Sequence, residues 1–124
     1  MNAASAPGEW VVLVQRGEED SLYEAAAMTA SATSLGLSVT LVWFDAALEA
    51  LLSGRLEEAG SRPASAAELL AAARETGRLR SLACSASAVN ARAGIERVRT
   101  AVDDIVGWPT VISLMRSASR ALVW

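Results

Sequence analysis

Short, unbroken apolar runs alternate along this chain with longer segments in which apolar residues return every third or fourth position. The first run, "WVVLV" (residues 10–14), is bounded by Glu9 and by "QRGEED". No polar residue interrupts it, which predicts a strand covered on both faces, as in the middle of a parallel sheet. In "DSLYEAAAMTASATSLG" the residues Leu22, Ala25, Ala26, Thr29, Ala32 and Leu35 line one side of a helix. Asp20 or Ser21 suits its start and Gly36 its end. "SVTLVWF" (residues 38–44) predicts a second strand and completes a βαβ unit.

The middle of the chain repeats the scheme with a longer crossover. A short helix is expected from Asp45 to the stop at Gly54, followed by the charged loop "RLEEAGSRP". "SAAELLAAARETG" opens on a capping box, Ser65 with Glu68, and presents Leu69, Leu70 and Ala73 on its apolar side. "RLRSLAC" (residues 78–84) is the third expected strand. Residues 85–107 mix short helical patterns with one short strand near residues 102–106. Pro109 suits the first turn of a last helix, since its missing N–H is not needed there. "RALVW" (residues 120–124) reads as a closing strand. The alternation predicts a three-layer α/β/α sandwich around a mainly parallel sheet of about five strands. Residues 1–9 read as a flexible tail and residues 10–124 as a single domain.

Composition narrows the chemistry. The 124 residues contain no histidine, and all eleven basic residues are arginine. A Ser-His-Asp triad, a Cys-His dyad and a Schiff-base lysine are therefore excluded within one chain. With one cysteine and no histidine no zinc set is expected, and no cofactor is implied. A net charge of −3 offers no basic footprint for nucleic acid. No apolar run approaches the ~18 residues of a membrane span. The opening "MNAASAPGEW" lacks the basic-then-apolar order of a secretory signal. Together with the single unpaired cysteine, this predicts a cytoplasmic protein.

In a parallel sheet, functional residues gather beyond the carboxyl ends of the strands. Gln15, Arg16, Asp45 and Cys84 should all emerge there. Cys84 has two readings on its local pattern: a small buried residue ending a strand, or a thiol held out for reaction. In the second reading, with histidine absent, activation falls to the amides of a following turn over Ser85–Val89, to Arg16 or Arg92, or to another subunit. "QRG", with Gly17, suits an anion at the start of the first helix. "GEED" is read as helix-capping acid rather than a metal site, and Arg97 and Arg99 as a solvated face. Trp10, Trp43, Trp108 and Trp124 are read as packing residues, with Trp108, in a turn before Pro109, the best candidate for ligand contact.

The order of elements, with "ACSASAVNARAGI" after the third strand and the ending "VDDIVGWPTVISLMRSASRALVW", resembles the DsrE/DsrF/TusD-like family of small α/β proteins. The resemblance covers about residues 10–124. It implies sulfur handling, with Cys84 accepting sulfane sulfur as a persulfide and passing it to a partner protein. Arg16, Gly17, Ser85, Ser87, Asn90 and Trp108 would then form the anion-stabilising pocket around it. The resemblance also implies a homo-oligomer, a trimer or hexamer. Many members have no established activity, so it is equally compatible with a non-catalytic ligand-binding or assembly module in which Cys84 is buried and unreactive. A thiol-based redox sensor is a third reading.

Overall fold

In the computed structural model, which describes residues 8–124, the apolar runs become five strands of one all-parallel sheet. These are β1 (Glu9–Val14), β2 (Ser38–Trp43), β3 (Leu79–Cys84), β4 (Asp104–Val106) and β5 (Arg120–Val123), in the order β4-β3-β2-β1-β5. The first strand begins at Glu9, one residue earlier than expected, because Glu9 pairs with Ser38. Gly8, also expected in the tail, accepts from the Ser38 amide at 3.0 Å, and residues 1–7 lie outside the described residues. Six helices connect the strands: α1 (Glu19–Ser34), α2 (Asp45–Leu52), α3 (Ala66–Glu75), α4 (Ser85–Val89), α5 (Ile95–Ala101) and α6 (Trp108–Ser117). A single 3₁₀ turn, Arg55–Glu57, follows α2.

Strand order dictates how the helices are shared between the two faces. From β1 to β4 each connection steps one strand in the same direction, so right-handed crossovers place α1 to α5 on one face. The last connection returns across the whole sheet from β4 to β5, which puts α6 alone on the other face. The side chains follow this division. Val12, Val14, Val39, Leu41, Trp43 and Leu79 pack beneath the five-helix layer, where Leu22, Ala26, Leu48 and Val98 meet them. Val11, Leu13, Val42, Leu82, Cys84 and Val106 face the other way, with Phe44, and are covered by Val111, Leu114, Met115 and Ala118 around α6. Alternation along each strand produces this sorting, and each fully buried Leu or Val contributes ~1.5–3 kcal/mol relative to exposure.

Local signals are met where they were strongest. The Ser65 hydroxyl accepts from the Glu68 amide at 3.1 Å while Glu68 accepts from the Ser65 amide at 2.9 Å. Pro109 lies in the first turn of α6. One packing expectation needs correction. Leu35 caps the C-terminus of α1 and is 80% exposed, its place on the buried side being taken by Thr33, which satisfies its hydroxyl on the Thr29 carbonyl at 2.9 Å. Leu69 and Leu70 do pack against the core with Ala73, as expected, but only half-buried, while Ala66 and Ala73 are the fully buried residues of α3.

Just before β4, Asp103 ties α3, β3 and β4 together. Its carboxylate accepts from the Ser81 amide at 2.7 Å and meets the Arg74 guanidinium at 3.3 and 3.4 Å, and its own amide donates to the Ser81 carbonyl at 2.8 Å. Burial alone would raise the pKa of this carboxyl, but the Ser81 amide and Arg74 outweigh burial and hold it below 3.8. A carboxyl lowered in the folded state contributes stability above its unfolded pKa and loses it as pH falls through the folded value. Asp103→Asn should therefore lower stability at pH 7 by about 1 kcal/mol, modest because the pair is half-exposed. Urea unfolding at pH 7 and again below pH 3 checks this: the gap between wild type and variant should close in acid, and an equal gap at both pH values would refute the assignment.

Candidate functional site at the carboxyl edge of the sheet

The loops after β1, β2 and β3 do emerge on one edge, and close backbone packing fixes each of them. In the first, the Gln15 and Arg16 amides donate to the Trp124 carbonyl at 2.8 and 3.3 Å, while the Ala47 amide donates to the Gln15 carbonyl at 3.3 Å. Gly17 is buried against the start of α2, where a Cβ would stand 2.8 Å from the Ala46 carbonyl oxygen. This position takes glycine for closeness of approach, not for an unusual φ.

The second loop turns on Asp45, the one non-glycine residue with positive φ (42°) among the described residues. Aspartate tolerates the left-handed region better than most residues, and here Ser87 holds it there. The Ser87 hydroxyl donates to the Asp45 carboxylate at 2.9 Å and accepts from the Asp45 amide at 3.0 Å. The sharp exit from β2 is thus locked to α4 behind β3.

The third loop carries the cysteine. Cys84 is the N-cap residue of α4, but its side chain makes no cap bond to the α4 amides. It turns into the α6 layer, 1% exposed, among Val11, Leu13, Val42, Phe44, Leu82, Val106 and Val111. That cluster contains no charged group. Accessibility to an incoming sulfur donor, which the working-thiol reading requires, is absent in this conformation.

The other expected site residues are distributed along the edge rather than gathered around the sulfur. Arg16 lies two strands from β3, in a hollow of about 350 Å³ with Gln15, Ser21, Glu24, Val123 and Trp124. Ser85 sits beside the β4–α6 turn, its hydroxyl 3.7 Å from where a Gly107 Cβ would stand. Ser87 is engaged with Asp45. Asn90 is exposed, its amide donating to the Ala86 carbonyl at 3.2 Å. Trp108 is 47% exposed and rests on Phe44, ring centroids 5.2 Å apart. Arg92 faces α2, its amide donating to the Glu49 carboxylate at 3.0 Å. Glu19 and Asp20 of "GEED" pair with Arg62, whose guanidinium also lies 4.4 Å over the Tyr23 ring.

No protein-family model matches the chain, and no curated protein matches it. The site is therefore read from its own chemistry. Two of its features had no signal in the sequence: the left-handed Asp45, since nothing in "WFDAA" marks a positive φ, and the side to which Cys84 turns. The latter follows from strand parity once Leu82 is placed under α6, but parity needs the crossover order, which a single sequence leaves open.

Proposed function

We propose that this protein is a non-catalytic, DsrE-like small-ligand-binding module in which Cys84 is a packing residue and not a sulfur acceptor. The burial of Cys84 in an uncharged apolar layer carries this reading. A persulfide carrier must present its sulfur to two partners in turn, and a donor molecule has no route to a sulfur sealed beneath α6 short of local opening. The arginines available to steady an anion stand elsewhere on the edge. Exposed Trp108, Ile112 and Val123 support assembly as a homo-oligomer, for which the family resemblance implies a trimer or hexamer. Residence in the cytoplasm rests on the single unpaired cysteine. No helix among the described residues is long and apolar enough to cross a membrane.

The test is the reactivity of one thiol. In native protein, a maleimide should label Cys84 at least about a hundredfold more slowly than in urea, because reaction waits on an opening event. A sulfane-sulfur donor should add no sulfur to the intact mass. Prompt native labelling, or one added sulfur that disappears in Cys84→Ala, would overturn the binding-module reading and restore Cys84 as a persulfide acceptor.

A further inference from the structure

Away from the carboxyl edge, α3 and α5 diverge over β3 and leave a cleft of about 370 Å³ on the five-helix face, within the ~300–1,000 Å³ of small-molecule sites. Trp43 and Leu79 are at its floor, and Leu51, Leu56 and Leu70 line its walls. This explains why Leu51 and Leu70 stay half-buried although both lie on apolar helix faces. Trp43 is 2% exposed, and its indole N–H is the one buried side-chain polar atom among the described residues that has no hydrogen-bond partner. An orphan buried donor costs ~1–3 kcal/mol, and the ring that carries it belongs to the cleft lining, so a seated ligand changes its surroundings.

The charges at the rim indicate what kind of acceptor. Arg74 is already paired with Asp103. Arg97 has no carboxylate partner among the described residues; it donates only to the Leu52 carbonyl at 3.3 Å and to the Thr100 hydroxyl at 3.4 Å. Glu57 also lines the cleft and opposes an anion. A guanidinium held by one carbonyl and one hydroxyl but by no carboxylate keeps N–H donors and its full charge for an anion at the rim, which matches a carboxylate on an apolar body.

We propose that this cleft binds a small apolar monocarboxylate, its chain or ring on Leu51, Leu56 and Leu70, its carboxylate held by Arg97 and its seating reported by Trp43. This deepens the binding reading above and rests on it. The probe is octanoate, titrated into the native protein while the indole N–H resonances are followed by NMR, with that of Trp43 assigned through bonds in the wild type. The Trp43 signal should shift saturably, with a Kd of about a millimolar for so small a ligand. Arg97→Gln should weaken binding about tenfold and Glu57→Gln should tighten it, in keeping with a charge-assisted contact. Octan-1-ol, the same body without the carboxylate, should bind more weakly than octanoate. Both variants change exposed side chains, so folding is not at stake. An unmoved Trp43 resonance, or equal affinity across the two variants, would overturn the site. Those outcomes concern the ligand and its place, whereas labelling of Cys84 concerns the module reading, so the two failures are distinguishable.

Discussion

Leu82→Ala should destabilise the protein by about 2–5 kcal/mol and, in the same step, make Cys84 reactive. Leu82 is fully buried in the middle of the α6 layer, two residues before Cys84 and on the same side of β3. The five-helix face has several elements to relax into a void, but this face has one helix, anchored by Val111 with Leu114, Met115 and Ala118 around it. A cavity there removes contacts that α6 has no neighbouring helix to replace. If native labelling of Cys84 proceeds through opening of that layer, a loss of even 2 kcal/mol raises the open population roughly thirtyfold. Urea unfolding and maleimide kinetics on the same preparation read both effects. A destabilised variant whose labelling rate stays at the wild-type value would show that Cys84 is reached by another route.

Gly17→Val should cost about 2–3 kcal/mol, and Gly17→Ala less, although neither side chain brings a charge or a hydrogen-bonding group to the edge. The obstacle is the Ala46 carbonyl oxygen, 2.8 Å from an added Cβ, with the Ala46 Cβ at 3.1 Å. A flexible side chain could swing away from such a contact; this backbone is held by the first turn of α2 and by the Ala47 amide bonded to Gln15. The loop after β1 would have to lift, pulling Gln15 and Arg16 from the Trp124 carbonyl and opening the Arg16 hollow. Thermal melts of the two variants should rank wild type above Ala and Ala above Val. Melts that coincide would mean that the loop is loose in solution.

Most of the layer plan was legible because the chain writes it in two different periods. "WVVLV" has no polar interruption and "SVTLVW" none but the β-branched Thr40 inside it, so both read as inner strands, and β1 and β2 are inner strands. The capping box at Ser65 and Pro109 in the first turn of α6 located helix starts to within a residue or two. Legibility failed where few residues carry the signal. β4 has three residues and α4 five, too short for periodicity to distinguish them from loop. It failed again where tertiary geometry decides the outcome. The position of Cys84 at a strand end was readable, but not the face on which its sulfur lies. Arg97 is exposed, as its reading as a solvated charge expects, but its bond to the end of α2 at the rim of the cleft has no signal in the sequence. Trp43 reads as one more apolar residue in a strand, and only the arrangement of its neighbours leaves its N–H without an acceptor.

The crossover that carries α6 back across the sheet also sets an order for assembly during synthesis. β1, the first of these five strands in chain order, sits between β2 and β5, and β5 is the last of the five. While β1 to β4 and the five helices of the other face emerge from the ribosome, Val11, Leu13, Val42, Leu82 and Cys84 have no helix to cover them. One side of the nascent sheet, and the edge of β1 that β5 will cover, remain open to chaperones, to aggregation and to oxidants until the α6–β5 segment is released. A cysteine that is sealed in the folded domain thus has its period of exposure before α6 and β5 have docked.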